Sequence, residues 1–189
     1  DLDPACRFPY ETNNDARFLE RDITTVTPAE LRDLFGDADV TILAGCAPCQ
    51  PFSTYAQRYE LDGKDGKWGL LYEFARLTEG ASPDVITMEN VPTVAKHAVF
   101  HDFVDTLRRL GYRVWFDVVD SSRYGVPQVR RRMVLLASRH GEIRMIEPTH
   151  GEPKTVRQAI GRLRALYAGE SAPRDKLHAS STLSQKNLE

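Results

Sequence analysis

Cysteine is scarce. Only Cys6, Cys46 and Cys49 occur in 189 residues, and three thiols cannot all pair with one another. A disulfide-stapled scaffold is therefore set aside. No apolar run approaches the roughly 20 residues that a membrane-spanning helix needs. The opening Asp1-Leu2-Asp3-Pro4 has neither the basic patch nor the apolar stretch of a signal peptide. A reducing cytoplasm is the expected compartment, with no membrane partner. Charge of one sign is missing too. Lys and Arg number 25, Asp and Glu 27, and the net charge is −2. Such a balance does not suggest a general nucleic-acid binder and confines any phosphate contact to a local patch. There is no repeat and no low-complexity tract. With 41% hydrophobic residues the chain can bury a core without staples, which argues against disorder and collagen and suits one globular domain.

Two apolar periods alternate along the chain. Residues 39–44, 84–88, 112–119 and 132–137 are short β-branched or continuous apolar runs that read as buried strands. Thr27-Pro28-Ala29-Glu30 opens a helix, with a cap, a proline at the first position and an early acid. Residues 69–79 and 98–110 carry apolar groups at spacings of three and four, and Gly111 stops the second. Strand–helix–strand alternation predicts an α/β fold with a largely parallel sheet. Past Ala137 the strand signal fades, loops follow, and one short helix is expected at about 155–166.

The most informative segment is Gly45-Cys46-Ala47-Pro48-Cys49-Gln50-Pro51-Phe52-Ser53, at the carboxyl end of the first strand. Ligands of open parallel sheets bind at that edge. The loop has three chemical readings. Cys46-x-x-Cys49 fits a redox dithiol, or half of a zinc site, or a single nucleophile, Cys49, with Cys46 incidental. Two buried cysteines in a plain strand–turn are the fourth possibility. Zinc needs about four ligands, and no second Cys-x-x-Cys exists, so no metal is expected. A nucleophile predicts an acid and cations at other strand ends. Glu89-Asn90-Val91-Pro92 and Gln128-Val129-Arg130-Arg131-Arg132 lie in such places.

Together these residues resemble the cytosine-5 DNA methyltransferase family. The resemblance rests on Pro48-Cys49-Gln50-x-Phe52-Ser53, on Glu89-Asn90-Val91, and on Gly125-Val126-Pro127-Gln128-x-Arg130-x-Arg132. Asp65-Gly66-Lys67-Trp68-Gly69-Leu70 resembles the motif between the first two. Asp1-Leu2-Asp3 with Tyr10 and Asn13, and then Asp22-Ile23, resemble the cofactor motifs. The likeness covers residues 1–138, with a weaker echo at 155–187.

The resemblance implies a Rossmann-like methyltransferase fold, S-adenosylmethionine as methyl donor, and double-stranded DNA with a flipped cytosine as substrate. It implies that Cys49 adds to carbon 6 of the base and that Glu89 assists at ring nitrogen 3. Arg130 and Arg132, two apart on an extended segment, would share a face and orient the carboxylate or hold the exocyclic oxygen. Arg131 would face elsewhere. Pro48, Gln50, Ser53, Asn90 and Gln128 would position the loop and the target nucleotide. Asp1 would hold the ribose hydroxyls and Leu2 the adenine face. Asp22 would accept from the adenine amine, with Ile23 and Leu70 lining the same pocket. The residues alone also allow plainer roles: Glu89 as a helix-capping acid, three solvated arginines, Asp22 in a turn, Leu70 in the core. Neither Cys6 nor Cys46 is expected to be needed for chemistry.

The family's glycine-rich first motif, its target-recognition domain and its last two motifs are not found in these residues. The expected organisation is an incomplete catalytic core at 1–138, then a linker and short helix at 139–189. A truncated chain is expected, inactive alone. A bacterial restriction–modification or orphan methylase is the leading reading, with a cognate restriction endonuclease as a possible companion. A tRNA cytosine-5 methyltransferase, a non-catalytic relative and a dithiol oxidoreductase are the alternatives.

Overall fold

The computed structural model describes residues 1–47, 69–184 and 187. Two compact units are present, Asp1–Ser121 with Arg130–Pro148, and Ser122–Val129 with Thr149–Glu189.

In the first unit, a 3-10 turn at Pro4–Cys6 leads into the short helix α1 (Arg7–Asn13). Helix α2 (Pro28–Phe35) starts where the sequence predicts. Thr27 Oγ1 accepts from Glu30 N, Glu30 Oε2 accepts from Thr27 N, and Pro28 fills a position whose amide would be unpaired. Strand β1 (Ile42–Gly45) follows. Helix α3 (Gly69–Ala81) buries Leu71, Phe74, Leu77, Thr78 and Ala81, all on one face. Strand β2 (Val85–Asn90) and helix α4 (Ala98–Arg109) come next. Gly111 at φ +88° ends α4, its amide bonding to Arg108 O, as a helix C-terminal glycine does. Strands β3 (Arg113–Asp120) and β4 (Arg131–Ser138) complete the sheet.

The strand order is β1-β2-β4-β3. β1 and β2 pair in parallel, and β4 lies antiparallel to both its neighbours. Three strands therefore point the same way, and the reversed β4 sits between two of them. The sequence reading of a largely parallel sheet misses this reversal. Its cause is the short return from Asp120 to Arg131, which begins with a 3-10 turn and holds no crossover helix.

One sheet face is covered. Ile86 and Met88 of β2 and Met133, Leu135 and Ala137 of β4 alternate inward and are buried. They join Phe74 of α3 and Phe100, Phe103 and Leu107 of α4 in one core. Burying each of these side chains larger than alanine contributes about 1.5–3 kcal/mol. Phe74 stacks on Phe103 at 5.2 Å, and Phe100 meets Phe116 edge-on at 5.0 Å. Gly45 is needed at the end of β1, because a Cβ there would lie 2.7 Å from the Phe74 ring.

The second unit contains helix α5 (Val156–Ile160), opened by a Thr155–Gln158 capping box. It is shorter than the expected 155–166. The amide of Gly161 closes on Arg157 O, where an added Cβ would collide with that oxygen. Strands β5 (Ser171–Ala172) and β6 (Asp175–Ala179) form an antiparallel hairpin that the sequence reading does not foresee. Two residues are too short a run to show alternation. Among the described residues no helix is long and apolar enough to cross a membrane.

Candidate active site

Topology makes the site. β1 and β2 are parallel neighbours, so Cys46, which follows β1, lies beside Glu89 near the end of β2. β4 runs the other way, so its first residues meet the last residues of β2. In register, Glu89 faces Val134 and Asn90 faces Met133. Arg132 is two residues from Val134, on the same face as Glu89 and diagonal to it.

Glu89 Oε1 lies 2.6 Å from Arg132 Nε and 3.9 Å from the Arg130 guanidinium. The two arginines share a face, as their spacing predicts. Arg131 makes no ion pair with Glu89 among the described residues, and its carbonyl accepts from Arg132. The Glu89 side chain is 40% exposed, so these pairs add little to stability. They tether the carboxylate through Oε1 and leave it open to a ligand. Asn90, on the other face, is 2% exposed. Its Nδ2 donates to Ala47 O at 3.2 Å, and its Oδ1 accepts from Val91 N. Asn90 thus anchors the last described residue before Pro48. Pro48, Cys49, Gln50 and Ser53 lie outside the described residues.

Cys46 is the residue the sequence reading passes over. Its Sγ lies 3.0 Å from Glu89 Oε2 and 3.5 Å from Glu89 O. The signal is the parallel register: Gly45 pairs with Met88, so the next residue of each strand must also be neighbours.

The residues assigned to the cofactor fall into neighbouring segments. Arg21 N donates to Asp1 O at 3.2 Å, which lays residues 1–3 beside 21–23. Asp22 caps a 3-10 turn, with Oδ1 accepting from Thr24 N at 2.9 Å and Thr24 Oγ1 at 2.8 Å. Those bonds, the backbone one first, hold its carboxyl below the usual range. Arg76 of α3 donates to Val26 O and Ile23 O, tying this turn to the helix that carries Leu70. Leu2 and Ile23 are exposed apolar side chains, 64% and 42% accessible, beside two carboxylates. Apolar surface next to hydrogen-bond acceptors fits a flat ring bearing an amine and hydroxyls, the groups of S-adenosylmethionine. Leu70 is half-buried and makes no described contact with these segments.

Gln128, in the second unit, is exposed, with its amide bonded to Val126 O. The preceding Gly125 has φ +84°, and the His150 ring packs where its Cβ would stand.

The arrangement can orient a planar heterocycle through a carboxylate held by guanidinium groups. The fold is shared with known methyltransferases. The solved Dnmt2 methyltransferase of S. pombe matches with a TM-score of 0.65 at 18% identity, over 87% of this chain and 51% of its own. The Entamoeba histolytica methyltransferase EhMeth matches with a TM-score of 0.63, also at 18% identity, over 80% of this chain and 48% of its own. The architecture is thus that of an α/β methyltransferase. Residues 1–188 match the family of C-5 cytosine-specific DNA methylases, and the chain belongs to that family. The Type II methylase M.HgiDII of Herpetosiphon aurantiacus is 44% identical over 193 residues, spanning 100% of this chain and 54% of its own. The Type II methyltransferase M1.HphI of Haemophilus parahaemolyticus is 32% identical, over 91% of this chain and 48% of its own. The chain spans about half the length of these curated relatives.

Proposed function

We propose that the intact protein methylates carbon 5 of cytosine in double-stranded DNA, with S-adenosylmethionine as donor. The observation that carries this reading is the Glu89 carboxylate, held by Arg132 at the sheet edge where the chain leaves β1 toward Pro48 and Cys49.

Carbon 5 of cytosine is a weak nucleophile. Addition of the Cys49 thiolate forms a bond to carbon 6 and gives carbon 5 enamine character. The electron density that moves toward ring nitrogen 3 is met there by Glu89, as acid or hydrogen-bond partner. Arg132 and Arg130 keep that carboxyl aimed and can hold the exocyclic oxygen. S-adenosylmethionine, when bound, supplies an electrophilic methyl carbon. Asp1, Leu2, Asp22, Ile23 and Leu70 are the residues that would hold it. Once carbon 5 has given up its proton to water, the electrons of that C–H bond expel the Cys49 thiolate and restore the ring double bond. Pro48, Gln50 and Ser53 position the target nucleotide, which must leave the stack to be reached, and Asn90 positions the chain that leads to them. Gln128 is assigned a positioning role by the resemblance alone. The Type II names of the relatives support a restriction–modification setting. A bacterial cytoplasm is the compartment proposed with it.

Covalent trapping tests the reading. Fluorine at carbon 5 replaces the proton that must leave, so thiolate release is blocked. The intact protein should form an adduct with DNA carrying 5-fluorocytosine, stable on a denaturing gel and dependent on S-adenosylmethionine. Mass spectrometry should map it to Cys49, and Cys49→Ala should abolish it. An adduct on another residue overturns the nucleophile. Methylation of tRNA with none of DNA overturns the substrate.

A further inference from the structure

We infer that Cys46 is a positioning residue for Glu89, an inference that rests on the methylation reading above. Each oxygen of the Glu89 carboxylate has its own donor: Arg132 Nε at 2.6 Å on Oε1, and the Cys46 thiol at 3.0 Å on Oε2. The last torsion of a glutamate is broad, so a single donor leaves the carboxylate plane free to turn. Two donors on two oxygens fix that plane. The contact is also part of a seam. Cys46 Sγ lies 3.5 Å from Glu89 O, and Ala47 O accepts from Asn90 Nδ2. The two residues after β1 are thereby joined to the last two of β2, and the carboxylate is aimed relative to the chain that continues to Pro48 and Cys49.

A thiol suits this task. It is a weak donor, so it can hold Oε2 in place and still yield that oxygen to a stronger partner on the base. A lysine there would bind the carboxylate too firmly to release it. The sequence alone treats Cys46 as dispensable. The structure assigns it a share in the aim of the acid.

The test uses the intact protein, with Cys46→Ala and Cys46→Ser each made in the wild-type and the Glu89→Gln background. Single-turnover methylation rates and KM values for DNA and S-adenosylmethionine are measured. Cys46→Ala should lower the rate about 10-fold, the scale of a slightly misplaced catalytic group, with both KM values within about 2-fold. Cys46→Ser, which keeps a donor, should recover most of the rate. In the Glu89→Gln background Cys46→Ala should cost nothing further, because the carboxylate it aims is gone. Cys46 is exposed, so the thermal midpoint should hold. A wild-type rate in Cys46→Ala overturns the inference, as does an equal loss in both backgrounds. Wild-type protein that neither methylates nor forms the Cys49 adduct overturns instead the reading on which it rests.

Discussion

Arg132 brings its Nε to 2.6 Å from Glu89 Oε1 with 23% of its side chain exposed, whereas Arg130 stops at 3.9 Å with 47% exposed. A close, half-buried guanidinium tethers one carboxylate oxygen; a distant, solvated one mainly adds screened field. The two should separate in kinetics. Arg132→Ala should lower the methylation rate about 100-fold, the scale of losing one aligned donor. Arg130→Ala should cost less than about 10-fold, and salt should mask part of that. Equal losses would mean that the pair acts as one charge, not as a clamp and an auxiliary. Gly45 makes a second argument at this scale. An added methyl would sit 2.7–2.9 Å from three atoms of the Phe74 ring. That ring is stacked on Phe103 and cannot simply swing away. Gly45→Ala should destabilise the fold by about 1–3 kcal/mol, the usual cost of overpacking, read from the denaturant midpoint.

The strands are held together at their other edge by Asp84, just before β2. Its Oδ1 lies 2.6 Å from His140 Nε2, and its Oδ2 accepts from Thr41 N and Thr41 Oγ1 at 2.8 Å. Arg139 N donates to its carbonyl. The residues flanking β1, β2 and β4 therefore meet on one side chain. The His140 bond first, and then those from Thr41, hold the Asp84 carboxyl at about 2. Its folded value is depressed, so its contribution is fully present above about pH 4 and is lost as pH falls through about 2. Denaturant midpoints measured across that window should fall in the wild type and fall less in Asp84→Asn. Parallel declines would remove Asp84 as the source. None of this clasp is visible in the sequence, because Thr41, Asp84 and His140 become neighbours only through strand pairing. What is legible there is what local periodicity encodes: α3 and α4, the four strands of the sheet, and the Thr27 cap. The same division runs through the site. Two residues of spacing suffice to put Arg130 and Arg132 on one face, whereas the Cys46–Glu89 contact needs the register of β1 on β2. The reversed β4 and the β5–β6 hairpin escape for the same reason, since direction and pairing are tertiary properties.

Charge is divided unevenly along the whole molecule. Ser122–Val129 with Thr149–Glu189 carries 8 Lys and Arg against 4 Asp and Glu, a formal +4. The unit that bears Glu89 carries 17 against 23, a formal −6, so the overall −2 conceals two opposite signs. A duplex approaching a protein of this kind should make its phosphate contacts on the positive unit, while the acidic unit contributes directed contacts to a single base. Arg157 of α5 and Arg162 just after it are exposed and make no ion pair among the described residues. Replacing both with Ala in the intact protein should weaken DNA binding about equally for cognate and unrelated sequences. It should also reduce the slope of log affinity against log salt by about one for each phosphate that is no longer neutralised. Arg108→Ala with Arg144→Ala removes the same charge from the acidic unit, at residues that are also exposed, and should leave the slope unchanged. The measurement is equilibrium binding of a labelled duplex at several salt concentrations. If both double variants lower the slope alike, net charge alone governs association. If neither does, the phosphates are held by residues other than these four. Only a loss confined to Arg157 and Arg162 supports a division of labour in which one unit grips the backbone and the other performs the chemistry.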